Sequence, residues 1–481
     1  MVSRKDATFG QALFVFVFLA VSLLVTIKVF GGSPHIPLLM TAVVAGSIGL
    51  VNKMPWDDIQ EGITEAFKNA SPAIVIMTII GAVIGTWIAG GIVPALIYYG
   101  LKVISPDYFL VSSCLICSVV SLSTGSSWST VGTIGLALMG VGAGLEMNPA
   151  MTAGAVISGA YFGDKLSPLS DTTNLAPAMA GSKLFEHIKH MLYTTIPSYF
   201  VALALFLFLD MSKSGSASVE NVAALSTVLS TNFNISPLLL LVPVLTMAMI
   251  GFRVPAIPGL VAVALLGAVS ALLFQGGDVS SVIKAAHYGF SIDTGSGMAD
   301  KLLNRGGIHS MMWTISLIII ALCFAGIVEK TGMILVVAKK ILKMATTSGS
   351  LVCATIVTTM FTNFASGVQY VALIVPGRLF RSEYSERGLH PKNLSRALED
   401  SGTLVAPLVP YGTDGAFLMG VLGVSPFAYI PFCFFNMCSP IISILLGFAG
   451  WTIEPLEQEA EEKAIGPFAQ EFAKTKDGMA N

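Results

Sequence analysis

The 481-residue chain is 54% hydrophobic and only 11% charged, with a mean hydropathy of +0.79. Soluble domains carry about 25% charged residues, so the composition excludes an ordinary soluble protein and marks a polytopic membrane protein. A net charge of −2 leaves no basic footprint for nucleic acid.

In chain order, apolar runs approaching the ~20 residues that span a bilayer fall at 11–30, 36–51, 72–91, 107–122, 128–145, 149–163, 192–209, 236–251, 255–274, 311–328, 349–362, 366–380, 402–422 and 426–450. The first is too long for a signal-peptide core and reads as a retained helix. Hydrophilic loops are expected at 210–234, 291–308 and 381–395, followed by a solvated acidic tail from Glu454. The six cysteines all lie in apolar segments. The CxxC spacing of Cys114 and Cys117 has no polar partner pair, so both read as small helix residues.

Near 123–127 (STGSS), 163–177 and 361–367 (FTNFASG) the apolar pattern gives way to hydroxyls, amides and glycine. Continuous helices do not need such residues. Broken or re-entrant helices do, because their freed backbone groups require partners.

The halves of the chain echo each other. Segment 56–67 matches 278–290 in pattern, 85–104 matches 325–344, 122–132 matches 361–371, and SDTTNLAP (170–177) matches EDSGTLVAP (399–407). The offset is about 220–240 residues, the mark of a transporter built from two repeats. Basic residues, which collect on the cytoplasmic side, then set the orientation. Lys330, Lys339, Lys340 and Lys343 face only Lys102 in the partner loop, and Arg378, Arg381, Arg387, Lys392 and Arg396 face none in 140–150. Corresponding loops therefore lie on opposite sides. Lys284, Lys301 and Arg305 run against the rule. The expected fold is all-α and polytopic, with two inverted-topology repeats whose broken or hairpin helices meet near 123–128, 164–175, 361–367 and 400–414. The first repeat covers 1–209, a connecting loop 210–235, the second repeat 236–453 and an acidic tail 454–481. Arg4 and Lys5 place the N-terminus in the cytoplasm, and an even number of spans places the C-terminus there too.

A charge at the centre of a membrane helix costs about 2.5–3.5 kcal/mol on insertion scales, so Asp164 and Asp171 must face a polar cavity. Asp400, with Ser401 and Thr403, reaches the same region from the other repeat, and Asp414 follows in VPYGTDGAF. Together with Thr172, Thr173 and Asn174 they offer hard oxygens for a small cation, and a carboxylate can instead take a proton. Helix capping is the competing reading for Asp171. Thr124, Gly125, Ser126 and Ser127, with Asn363 and Ser366, offer helix ends able to bind a carboxylate substrate or mere packing breaks. His187 and His190 read as interfacial. No nucleophile triad and no phosphate loop is present, so the chain is read as a gradient-driven transporter and not an enzyme.

The stretches GAVISGAYFGDKLSPLSDTTNLAPAMAG (154–181), HIKHMLYTT (187–195), PLVPYGTDGAFLMGVLGVSPFAYIPF (407–432) and NMCSPIISILLGFAGWTI (436–453) resemble the NhaC-type sodium/proton antiporter family. The resemblance implies sodium/proton exchange across a prokaryotic plasma membrane, with sodium as transported ion and no cofactor. It places Asp164, Asp171, Thr172, Thr173 and Asn174 in the family's polar motif. It also leaves a second reading open, because relatives exchange organic acids such as malate and lactate. The expected partners are sodium, protons and the lipid bilayer, with a small carboxylate under the second reading; a homodimer is one expected assembly. A membrane scaffold or sensor is disfavoured by intramembrane carboxylates in both halves.

Overall fold

In the computed structural model the described residues are 6–212, 219–252 and 254–456. Arg4, Lys5 and most of the acidic tail, on which the expected terminus orientation rests, lie outside them. Large apolar side chains that a soluble protein would bury stand on the outer surface, among them Val29, Phe200, Phe208 and Leu265. Lipid is the solvent that tolerates them.

Among the described residues the chain is helical, with one isolated β-bridge between Leu389 and Pro455. Seven helices are long and apolar enough to cross a membrane, or ten if three bent pairs each count as one span. The shorter apolar helices His35–Val51 and Ile92–Val103 stand beside these. Several of the fourteen apolar segments belong to helices interrupted within the bundle, such as Pro391–Leu408 with Thr413–Leu422, bent by 48°. The expected loop at 210–234 contains the helix Val219–Asn232, and 381–395 holds the ends of helices Gln369–Glu386 and Pro391–Val405. Arg396, counted above among loop cations, is a fully buried helix residue.

The repeat is visible in the order of elements. Helix Phe109–Thr124 ends at Gly125 in the left-handed conformation, and helix Ser348–Ser366 ends the same way at Gly367, 242 positions later. The same interval separates Pro149 and Pro391, each opening a helix at its first position. It also separates Gly181 and Gly423, the left-handed caps of Asp171–Ala180 and Thr413–Leu422. Ser121 Oγ donates to the Ala160 carbonyl at 2.5 Å, and Asn363 Nδ2 to the Gly402 carbonyl at 2.7 Å. Both donor and acceptor recur at 242.

This interval corrects the register read from sequence. Segment 170–177 begins the helix after a break, whereas 399–407 ends the helix before one. Asp400 therefore stands opposite Ser158, Asp171 opposite Thr413, and Asp414 opposite Thr172. The segment 56–67 is likewise part of the 34-residue helix Trp56–Ala89. Its left-handed Gly91 lies 241 positions before Gly332, so its counterpart begins at the helix Gly297–Leu303 and not at 278–290.

Candidate functional site

The four interruptions meet. A methyl group on Gly125 would lie 2.6 Å from Leu169 Cβ and 2.9 Å from Ser170 N, so the first hairpin tip touches the break after helix Pro149–Leu166. The second tip touches the other break: Thr413 N donates to the Gly367 carbonyl at 2.8 Å. Glycine is required at both tips because φ is +68° and +65°. Between them lies a cavity of about 940 Å³ walled by both tips, both breaks and residues 69–76 of the long helix.

Three carboxylates line it. Asp164, 5% exposed, accepts at Oδ2 from Ser127 N (3.2 Å) and Ser127 Oγ (2.6 Å), while its buried Oδ1 has no partner. Asp414 accepts at Oδ1 from Tyr161 (2.6 Å) and Trp128 Nε1 (3.1 Å), and at Oδ2 from Thr413 (3.2 Å). Asp171 accepts from the Tyr370 hydroxyl and from Thr172 N at 2.9 Å. The helix cap itself is Ser170, not Asp171, which is the first helical residue. Among the described residues no three His, Cys, Asp or Glu side chains are close enough to hold one ion jointly. The carboxylates ring the cavity and do not converge on a point, so any cation there draws on a carboxylate together with hydroxyl, carbonyl or water oxygens.

The remaining motif residues are divided between cavity wall and scaffold. Thr124, Gly125, Ser126 and Ser127 line the cavity. Thr173 Oγ1 donates to the carbonyls of Asp164 (3.1 Å) and Lys165 (3.0 Å), Asn174 Nδ2 to those of Ser170 (2.6 Å) and Pro168 (2.9 Å), and Thr172 bonds Ser170 Oγ at 3.1 Å. These bonds satisfy the backbone freed at the break. Asn363 and Ser366 do the same in the second half. Asn363 bonds the backbone of the neighbouring helix, and Ser366 Oγ accepts from Val368 N at 3.2 Å. Ser401 donates to the Ala397 carbonyl (2.6 Å) and Thr403 to Glu399 (2.8 Å).

Asp400 does not line the cavity. It is fully buried, forms an ion pair with fully buried Lys165, and accepts from Thr194 Oγ1 at 2.9 Å and Ser439 Oγ at 3.2 Å. Sequence reading missed Lys165, whose partner Asp400 lies 235 positions away in the chain. It also missed Trp128, Tyr161 and Tyr370. His187 and His190, read as interfacial, have buried side chains, with His187 Nδ1 at 2.9 Å from Ser395 Oγ and His190 facing the Lys392 and Thr452 carbonyls.

The profile of the Na+/H+ antiporter family matches residues 159–451, which hold the second hairpin tip, both breaks and all three cavity carboxylates. The chain belongs to the Na+/H+ antiporter family. It is 41% identical to the Na(+)/H(+) antiporter NhaC of Alkalihalophilus pseudofirmus over 93% of this chain and 97% of that one. The NhaC of Bacillus subtilis is 39% identical over 93% of this chain and 99% of its own. The Malate-2H(+)/Na(+)-lactate antiporter of Bacillus subtilis is 38% identical over 93% and 96%. As a member of the Na+/H+ antiporter family the protein is a multi-pass sodium/proton antiporter and not an enzyme. Sodium is its cargo, not a cofactor.

Proposed function

We propose that sodium and the exchanged proton alternate on Asp164, in a cavity whose further carboxylates, Asp171 and Asp414, draw the cation in. One observation carries this reading. Asp164 is buried, one oxygen is fixed by the amide and hydroxyl of a hairpin tip, and the other is left without a partner. A bare buried carboxylate is costly, so that oxygen calls for a cation or a proton, and the two exclude each other. Thr124 and Ser126 stand beside it on the cavity wall to supply further oxygens. Asp400, with Ser401 and Thr403, belongs in this reading to the scaffold, because Lys165 already neutralises it.

The repeats, 1–209 and 236–453 joined by 210–235, are read as inverted in the membrane, supported by the opposed basic loops and the recurring interval of 242. Rocking of one repeat against the other would open the shared cavity to each side in turn. The plasma membrane, cytoplasmic termini and pairing of two copies complete this reading. Accessibility of cysteines introduced at 3 and 478, and the mass of the solubilised protein, test the last two. The organic-acid alternative finds less support: the described cavity wall holds three carboxylates and no Lys or Arg.

The test is Asp164→Asn in proteoliposomes. The variant should keep its thermal melting profile and lose sodium-driven proton flux; exchange at the wild-type rate would remove Asp164 from the ion path.

A further inference from the structure

One buried acid belongs neither to the cavity nor to the ion pair. Glu399 is fully buried in helix Pro391–Val405 and stands off the described cavity wall. Its Oε1 accepts from Thr403 Oγ1 at 2.8 Å, and its Oε2 has no partner. Among the described residues no cation is paired with it. Lys165 and Asp164 of helix Pro149–Leu166 stand near it, but Lys165 Nζ bonds Asp400 and Ser439. The other helices packed around it bring His187, held by Ser395, Tyr384, bonded to Thr355, and Asp171, bonded to Tyr370. Helices Ser348–Ser366 and Phe434–Ala449 bring no acid or base beyond one cysteine each. The fold does not call for a carboxyl at this place. At the repeat interval of 242 its counterpart is Ile157, equally buried, so an apolar side chain serves in the other half. A buried acid without a counter-charge is held at least cost as the neutral acid.

Two hydroxyls join it to Asp164. The Thr172 side chain lies beside the Glu399 carboxyl and the Ser170 side chain beside that of Asp164, and the two hydroxyls bond each other at 3.1 Å. Ser170 Oγ also accepts from Thr173 N at 3.4 Å, which leaves its own hydrogen free to turn to either side. We infer that Glu399 takes and returns the proton that alternates with sodium on Asp164, through the hydroxyls of Ser170 and Thr172. The inference rests on the Asp164 assignment above. When sodium arrives, the Asp164 proton passes to Ser170 Oγ, the Ser170 hydroxyl proton to Thr172 Oγ1, and the Thr172 hydroxyl proton to the Glu399 carboxylate. At each hydroxyl one O–H bond forms and one breaks, so both stay neutral. Asp164 is left as the carboxylate that holds the ion, and Glu399 becomes the acid. The proton need not cross the cavity that the ion occupies. Arg396 Nε and Nη2, one turn earlier on the helix, and His187 Nε2 are likewise buried and unpartnered, and extend the polar row towards the helix start at Pro391.

The experiment sets two fluxes side by side in proteoliposomes of the full chain. One is sodium-driven proton flux. The other is counterflow of radioactive sodium at equal sodium and pH on both sides, which needs no net proton transfer. Glu399→Gln keeps the shape and the acceptor for Thr403 but cannot carry a proton, and Thr172→Val removes the hydroxyl link while both carboxyls stay. Each should lower proton exchange by about 100-fold, the scale of a lost positioned acid or base, and retain sodium counterflow. Thr172→Ser should restore proton exchange. Proton exchange at the wild-type rate in either variant overturns the inference. So does joint loss of both fluxes in a variant with an unchanged melting profile, or a Thr172→Ser variant that restores nothing. Should Glu399→Gln fail to fold, the two Thr172 variants decide alone. Sodium counterflow that survives Asp164→Asn overturns instead the assignment beneath the inference, so the two failures are distinct.

Discussion

Trp128 and Tyr370 lie 242 positions apart, each the third residue after a left-handed glycine at a hairpin tip, and each donates to a carboxylate of the opposite half. Trp128 Nε1 reaches Asp414 at 3.1 Å, and the Tyr370 hydroxyl reaches Asp171. The relation is reciprocal but not identical, because Asp171 opens its helix while Asp414 is second in its own. Each tip is therefore hydrogen-bonded to a carboxylate of the other repeat, and under the proposed function this is the connection through which an ion or proton on one half would act on the other.

Tyr370→Phe tests that connection. Removing the hydroxyl takes from Asp171 its bond to the opposite repeat. The half-saturating sodium concentration for exchange should change by about 3- to 10-fold, equivalent to roughly 1 kcal/mol for a lost hydrogen bond. Equal sodium dependence of variant and wild type would show the bond to be incidental.

The second expectation concerns pH in the wild-type protein. If sodium and the proton share Asp164, apparent sodium affinity falls as pH falls, by up to about tenfold per pH unit on the acid side of the titration. Isothermal sodium titrations between pH 6 and 9 measure this directly. A flat profile would mean that the two ions use separate sites.

Lys165 and Asp400 should behave as a unit. Removing one partner of a buried ion pair costs about 3–5 kcal/mol, whereas replacing both by apolar residues of similar volume is often close to neutral. Lys165→Met and Asp400→Leu should each lower the melting temperature of the detergent-solubilised protein far more than the double substitution does. Additive losses in the double variant would show that the pair contributes no coupling.

Alanine at the two tips should cost unequally. Both positions require the left-handed region, worth about 1–2 kcal/mol against a residue with a side chain. At Gly125 the methyl group also meets Leu169 at 2.6 Å and the Ser170 backbone at 2.9 Å, whereas at Gly367 the nearest atom is Gly412 Cα at 3.2 Å. Gly125→Ala should therefore destabilise more and impair exchange more. The comparison is read from melting temperature and proteoliposome flux in parallel, and a larger effect at Gly367 would contradict the packing described for the first tip.

The sequence by itself determined the membrane class, the two-fold organisation, and the four places where helices break. Hydropathy and composition are local quantities, and STGSS, LSPLSD, TNFASG and VPYGTD interrupt apolar runs wherever the fold is later considered. It also determined that Asp164, Asp171 and Asp414 sit beside such breaks. Only the tertiary structure decided the repeat interval of 242, and with it that Asp400 has Ser158 and not Asp171 as its counterpart. It also decided which charges meet. Asp164 and Lys165 are adjacent in sequence, but successive residues of a helix point about 100° apart. One turns to Ser127 at a hairpin tip and the cavity, the other to Asp400 and Ser439 on helices more than 230 residues away. Adjacency on a chain cannot reveal that divergence, because the partners that separate a cavity carboxylate from a neutralised one arrive only when the two repeats pack.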